Sequence, residues 1–202
     1  MPSMMVYFMP YYKNAKRLYA GLNFLVLLLC FAFSSAAYAA SSLHIKSAEL
    51  IAMEDAYALT ADFDISLSPV IEDALNKGVP LTFMVEFQLS TPRRYWFDDE
   101  IVTQTEYLTL SYHALSRQYL VNRNNHQQSY ATLQQAKEEF SKVKPWLVVD
   151  KKLLKKGEAY SAAIKIRLDQ TKLPKPLQVE AIGSDDWAIA SERYRWVPVF
   201  TF

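Results

Sequence analysis

Apolar and polar residues alternate with a period of two along most of the chain after residue 40. In YALTADFDISL, residues 57–67, Tyr57, Leu59, Ala61, Phe63, Ile65 and Leu67 share one face, while Thr60, Asp62, Asp64 and Ser66 share the other. This is the pattern of a strand buried on one side. VPLTFMVEFQL, residues 79–89, repeats it with Val79, Leu81, Phe83, Val85, Phe87 and Leu89. AYSAAIKIRLD, residues 159–169, repeats it with Tyr160, Ala162, Ile164, Ile166 and Leu168. Weaker alternation marks strands near 43–51, 106–113, 117–123, 127–131, 146–149, 186–191 and 194–200.

Two short segments change period. SPVIEDALNKG places Ser68 as helix N-cap, Pro69 at the first helical position and Gly78 just past the end, predicting a helix over 69–77. Thr132 and Gln135 form a T-x-x-Q capping box ahead of a stripe of Leu133, Ala136, Phe140 and Val143. A helix over 133–143 follows, stopped by Pro145. Asn124-Asn125 reads as a hairpin turn, because asparagine tolerates positive φ. These elements predict a mainly β fold, an antiparallel two-sheet β-sandwich with two short helices.

The first 39 residues follow other rules. Lys13, Lys16 and Arg17 precede an apolar run from Leu18 to Phe33, and Ala37-Tyr38-Ala39 closes the segment as a small-x-small box. Positive, apolar and small, in that order, describe a secretory signal peptide. The run is shorter than the ~20 residues of a spanning helix. The alternative is an uncleaved anchor over 18–40 that holds the domain on the periplasmic side of the inner membrane. Cys30, the single cysteine, follows Leu29, whereas a lipid-attachment cysteine follows a small residue. Cleavage after Ala39 leaves 163 of the 202 residues, the length of one domain over 40–202. Such a domain has no cysteine, hence no disulfide and no thiol nucleophile. Loss of three cations takes the net charge from +1 to −2, so nucleic-acid binding has no electrostatic support.

Several segments together resemble a known family: ALNKGVPLTFMVEF, RRYWFDDE, LSYHALSRQYLV, TLQQA, IKIRLD, LPKPLQVEA and DWAIAS. In this order they are similar to the bacterial domain of unknown function 4390 family, over about residues 43–198. The resemblance implies an exported envelope protein of Gram-negative bacteria. It implies no activity, cofactor or catalytic residue. Members tend to be encoded near a membrane sensor kinase, which is an association only.

Candidate chemistry concentrates in RRYWFDDE, residues 93–100. On a strand Asp98 and Glu100 point to the same side, and Asp99 to the other. A hydrolytic pair needs a second carboxylate across the bond; Asp185 and Asp186 could supply it, but nothing in the sequence brings them close. The simpler expectation is a strand end whose aromatics help build the core, with Arg93 or Arg94 pairing to an acid. The three histidines, His44, His113 and His126, have no metal-ligand spacing among them. His113 is the one candidate acid or base among them, although a lone strand-end histidine is more often a hydrogen-bonded structural residue. With four glycines and no G-x-S-x-G, neither a phosphate loop nor a serine elbow is present, and no cofactor or metal is indicated. Lys151, Lys152, Lys155 and Lys156 read as a solvated connection, the alternative being contact with an anionic membrane or polyanion. Trp96 and Trp187 are candidates to flank a sugar- or peptide-binding groove, with core packing as the competing reading.

The resulting expectation is a periplasmic envelope binding or adaptor module, possessing no catalytic residue and contacting an envelope protein or polymer. Its rim would be Arg93, Arg94, Trp96, Asp98, Glu100, His113 and Trp187. One alternative is an envelope-polymer hydrolase using Asp98, Glu100 or His113. The other is an outer-membrane barrel, suggested by the terminal aromatics of YRWVPVFTF. Two helices, Pro198, and the polar segment 117–131 stand against a barrel.

Overall fold

The computed structural model describes residues 40–124 and 126–201. The leader over 1–39, with Cys30, lies outside the described residues. Two antiparallel sheets form a sandwich. The smaller runs β1 (Ser42–Ala52), β2 (Ala56–Ser66), β7 (Lys142–Asp150). The larger has six strands in the order β6 (His126–Tyr130), β5 (Gln118–Arg123), β4 (Asp99–His113), β3 (Leu81–Thr91), β8 (Ser161–Leu168), β9 (Tyr194–Trp196). Both sheets are open, so the described residues form no closed barrel. Among the described residues no helix is long and apolar enough to cross a membrane.

The period-two rows are the core. Leu81, Phe83, Val85, Phe87 and Leu89 on β3 are wholly buried, as are Ala162, Ile164 and Ile166 on β8. Each of these Leu, Ile, Val and Phe side chains contributes about 1.5–3 kcal/mol relative to an exposed one. Helix α1 (Pro69–Asn76) starts as predicted: Ser68 Oγ accepts from the Ile71 N–H at 3.5 Å. Gly78, at φ 90°, turns the chain back toward β3. Helix α2 (Leu133–Phe140) is capped by Thr132, whose Oγ1 accepts from the Gln135 N–H at 3.3 Å. Its Phe140 stands between the sheets, edge-on to Phe63 of β2 (5.2–5.7 Å spacing being typical of such pairs here) and to Phe83 of β3, at centroid distances of 5.7 and 5.2 Å.

Five sequence expectations are corrected. Helix α2 ends at Phe140, and Val143 turns inward from β7 instead. Pro145 sits inside β7, where the register shifts between Leu59 and Ala61; an edge strand tolerates the missing donor at such a bulge. Residues 186–191 are not a strand: Asp185–Trp187 is a 3-10 turn, and only Ala190 bridges to Arg167. A third helix, α3 (Lys175–Ala181), occupies LPKPLQVEA, with Pro176 in its first turn. Finally, β9 stops at Trp196, and the chain crosses to the smaller sheet as a strap. Phe200 packs on Tyr57 and Tyr160, at 4.8 and 5.4 Å, while the Tyr57 hydroxyl bonds both backbone groups of Thr201.

Because Phe140 touches both sheets, Phe140→Ala is expected to destabilise the domain by about 3–5 kcal/mol. Urea unfolding checks this; a loss under ~1 kcal/mol would mean the sheets hold together without the α2 plug.

Candidate functional site

The strands give the domain two ends. One carries Ser42, α1, Leu81, His113 and Leu168. The other carries the β1–β2 turn, the β3–β4 loop, the β7–β8 loop and the C-terminal strap. The β3–β4 ladder closes at Thr91 and Asp99, which leaves residues 92–98 outside it as a projecting loop.

The loop does not bury its aromatics, contrary to the core expectation. Tyr95, Trp96 and Phe97 are 85%, 77% and 90% exposed. The ladder has ended before they begin, so no partner strand fixes which face each presents, and all three remain in solvent. Arg93 folds back on Asp99 with an Nη2–Oδ2 distance of 2.6 Å, the anticipated arginine–acid pair, and its backbone N–H donates to Asp98 Oδ1 at 3.4 Å. The Arg94 guanidinium lies over the Tyr95 ring, 5.7 Å from its centre. Glu100 faces away, accepting from Gln88 Nε2 at 2.9 Å; Gln88 Oε1 in turn accepts from Arg193 at 3.0 Å. Asp98 and Glu100 therefore engage separate partners.

The remaining rim residues are not at this end. Glu100 and His113 are thirteen positions apart on β4, or ~40 Å. His113 Nδ1 accepts from the Ser116 N–H at 3.3 Å and lies 2.9 Å from Ser116 Oγ, closing the turn that contains Arg117 at φ 52°. Trp187 is 1% exposed, in the core, which removes it from any rim. Its backbone carbonyl accepts from Gln170, beside the Thr82 end of β3, ~30 Å from the 92–98 loop. Asp185 and Asp186 share that far end. Among the described residues no cluster of three His, Cys, Asp or Glu could hold a metal.

Basic residues do share the end with the aromatic loop. The β7–β8 loop holds Lys151, Lys152, Lys155 and Lys156, and Ser161 just after it pairs with Ser90 just before the aromatic loop. Lys155 pairs with Glu158, and Lys151 donates to the Glu54 carbonyl at 3.0 Å. Leu153 of this loop, Met53 of the β1–β2 turn, and Val197 and Val199 of the strap are also exposed there.

A second cluster escaped the sequence reading. Glu106 is 3% exposed on β4, in the inward row that continues through Leu108 and Leu110. Its Oε1 accepts from Asn124 Nδ2 at 2.6 Å, while Oε2 has no partner among the described residues. Arg123, at the end of β5, donates from Nη2 to the Lys142 carbonyl but leaves Nε and Nη1 unpartnered. Both line a cleft of about 370 Å³ with Glu139, Lys144 and His126. Burial raises the Glu106 carboxyl above the usual glutamate range, with Arg123 and Asn124 pulling it back. Burial lowers Arg123, opposed by Glu106 and Glu139. The available signal was parity: Glu106 shares its strand face with Leu108 and Leu110, and Arg123 shares one with Val121.

The chain belongs to the family described as Domain of unknown function (DUF4390), whose model matches residues 40–197. The match spans every element of the sandwich, the 92–98 loop and the Glu106 cluster included. No curated protein and no solved structure matches the chain.

Since the folded state holds the Glu106 proton more tightly than the unfolded chain, this group lowers stability as pH rises from the ordinary glutamate range through the raised value. Glu106→Gln is expected to be at least as stable as wild type at neutral pH, with the difference shrinking as pH falls through that window. Urea unfolding at neutral and mildly acidic pH checks it. A variant clearly less stable at neutral pH would show that attraction to Arg123 outweighs burial.

Proposed function

We propose that this domain is an exported binding or adaptor module of the cell envelope, acting by docking rather than by catalysis. The observation that carries the reading is the run of three consecutive exposed aromatics, Tyr95, Trp96 and Phe97, on a loop beyond the end of the β3–β4 ladder. Exposed aromatic area of this kind raises the cost of remaining in water and is lowered by contact. Export is supported by the order of charges, apolar residues and small residues over 1–39. Periplasmic residence and a role beside a membrane signalling protein rest on the family resemblance. A hydrolytic reading has little geometric support, because Asp98, Glu100 and His113 do not converge.

A photoreactive residue placed at position 96 or at Val179, on the opposite end, tests the reading in cells that express the full chain. Crosslinks to an envelope component are expected from position 96 and not from position 179. Absence of crosslinks at 96, or equal yields from both positions, would overturn it.

A further inference from the structure

We infer that the end of the sandwich carrying residues 92–98 docks on the interface of a phospholipid bilayer, with Tyr95, Trp96 and Phe97 entering the headgroup–acyl boundary. This rests on the docking reading above and names its partner.

The form of the tip favours a bilayer over a protein surface. The loop projects beyond the end of the β3–β4 ladder, and its own Arg94, Tyr95, Trp96 and Phe97 line only a shallow, open hollow of about 510 Å³. A bilayer interface needs no complementary pocket. It accepts a projecting tip, and Trp and Tyr have their preferred location at its boundary.

The surroundings of the tip agree. Exposed Met53, Leu153, Val197 and Val199 give a shallow apolar shoulder on the neighbouring loops. Arg94, Lys152 and Lys156 make no ion pair among the described residues, so their heads are available to lipid phosphates. Charge alone does not explain the contact. Glu54, Asp55, Asp98, Asp99 and Glu158 occupy the same loops and nearly balance the six basic residues there. Insertion of the aromatics, not attraction to anionic headgroups, is therefore the main driving force, and the contact should depend only weakly on lipid charge and salt.

Tryptophan fluorescence supplies a direct test. Of the four tryptophans only Trp96 is exposed; Trp187 is buried, and Trp146 and Trp196 pack against the core. The full chain is mixed with vesicles of phosphatidylcholine or of phosphatidylglycerol, each carrying brominated acyl chains. Quenching is expected in both, differing by less than about twofold between them. Trp96→Phe keeps the aromatic and should lose most of the quenching. Tyr95→Ala/Phe97→Ala keeps Trp96 and should need about tenfold more lipid for half-quenching. Equal quenching in wild type and Trp96→Phe would overturn the inference, as would quenching confined to phosphatidylglycerol and abolished by salt. No quenching alongside position-96 crosslinks to a protein would refute the lipid partner and leave the docking reading standing. Failure of the crosslinks themselves would remove both.

Discussion

The burial of β3 on its inner face and along both edges is the constraint on which the other elements depend. Leu81, Phe83, Val85, Phe87 and Leu89 are all fully enclosed, and the strand pairs with β4 on one side and β8 on the other. A one-residue slip would turn that row toward solvent and bring Met84, Glu86 and Gln88 inward. The register of the larger sheet is thereby fixed, and so are its ends. The segments directly after Thr91 and directly before Ser161 emerge together at one end; those directly before Leu81 and directly after Leu168 emerge at the other. The position of the aromatic loop beside the lysine-rich loop follows from this pairing.

The parts of the fold legible in the sequence are those governed by local periodicity and capping chemistry. The alternating rows of β2, β3 and β8 and the caps at Ser68 and Thr132 are each set by residues within a few positions of one another. The parts that were not legible depend on distant partners. Val143 and Pro145 suit the end of a helix equally well until β2 offers an edge to pair with. Residues 186–191 alternate like a strand, but against β8 they form one bridge, Ala190 to Arg167, flanked by bonds from the Leu168 N–H to Ile189 and from the Ser191 N–H to Ile166. Helix α3 has two prolines at its start and seven residues, too short for a period to declare itself.

The candidate site shows the same division. The arginines and acids of RRYWFDDE were rightly placed at a strand end, and the Arg93–Asp99 pair is the arrangement anticipated there. The aromatics were misjudged because alternation was extended past the last ladder pair, where it no longer applies. Trp187 was misjudged in the opposite sense: flanked by Asp186, it looks like a surface residue, yet it fills the core near Gln170. Glu106 passed unnoticed because a single carboxylate in an apolar row is weak as pattern and strong only as burial. It and Arg123 line a cleft with Glu139 and Lys144, and Glu106 stands seven positions along β4 from Asp99, ~23 Å from the base of the aromatic loop.

The central claim is that the 92–98 loop is where the domain meets the envelope. The described domain has no cysteine, so a polarity-sensitive fluorophore can be attached at Trp96→Cys or Val179→Cys with Cys30→Ser in the background. The most direct measurement compares the two labels in the purified full chain before and after addition of isolated envelope membranes. The account predicts a blue-shifted, brighter emission from position 96 and an unchanged spectrum from position 179. Unchanged emission at 96, or the larger shift at 179, would contradict it.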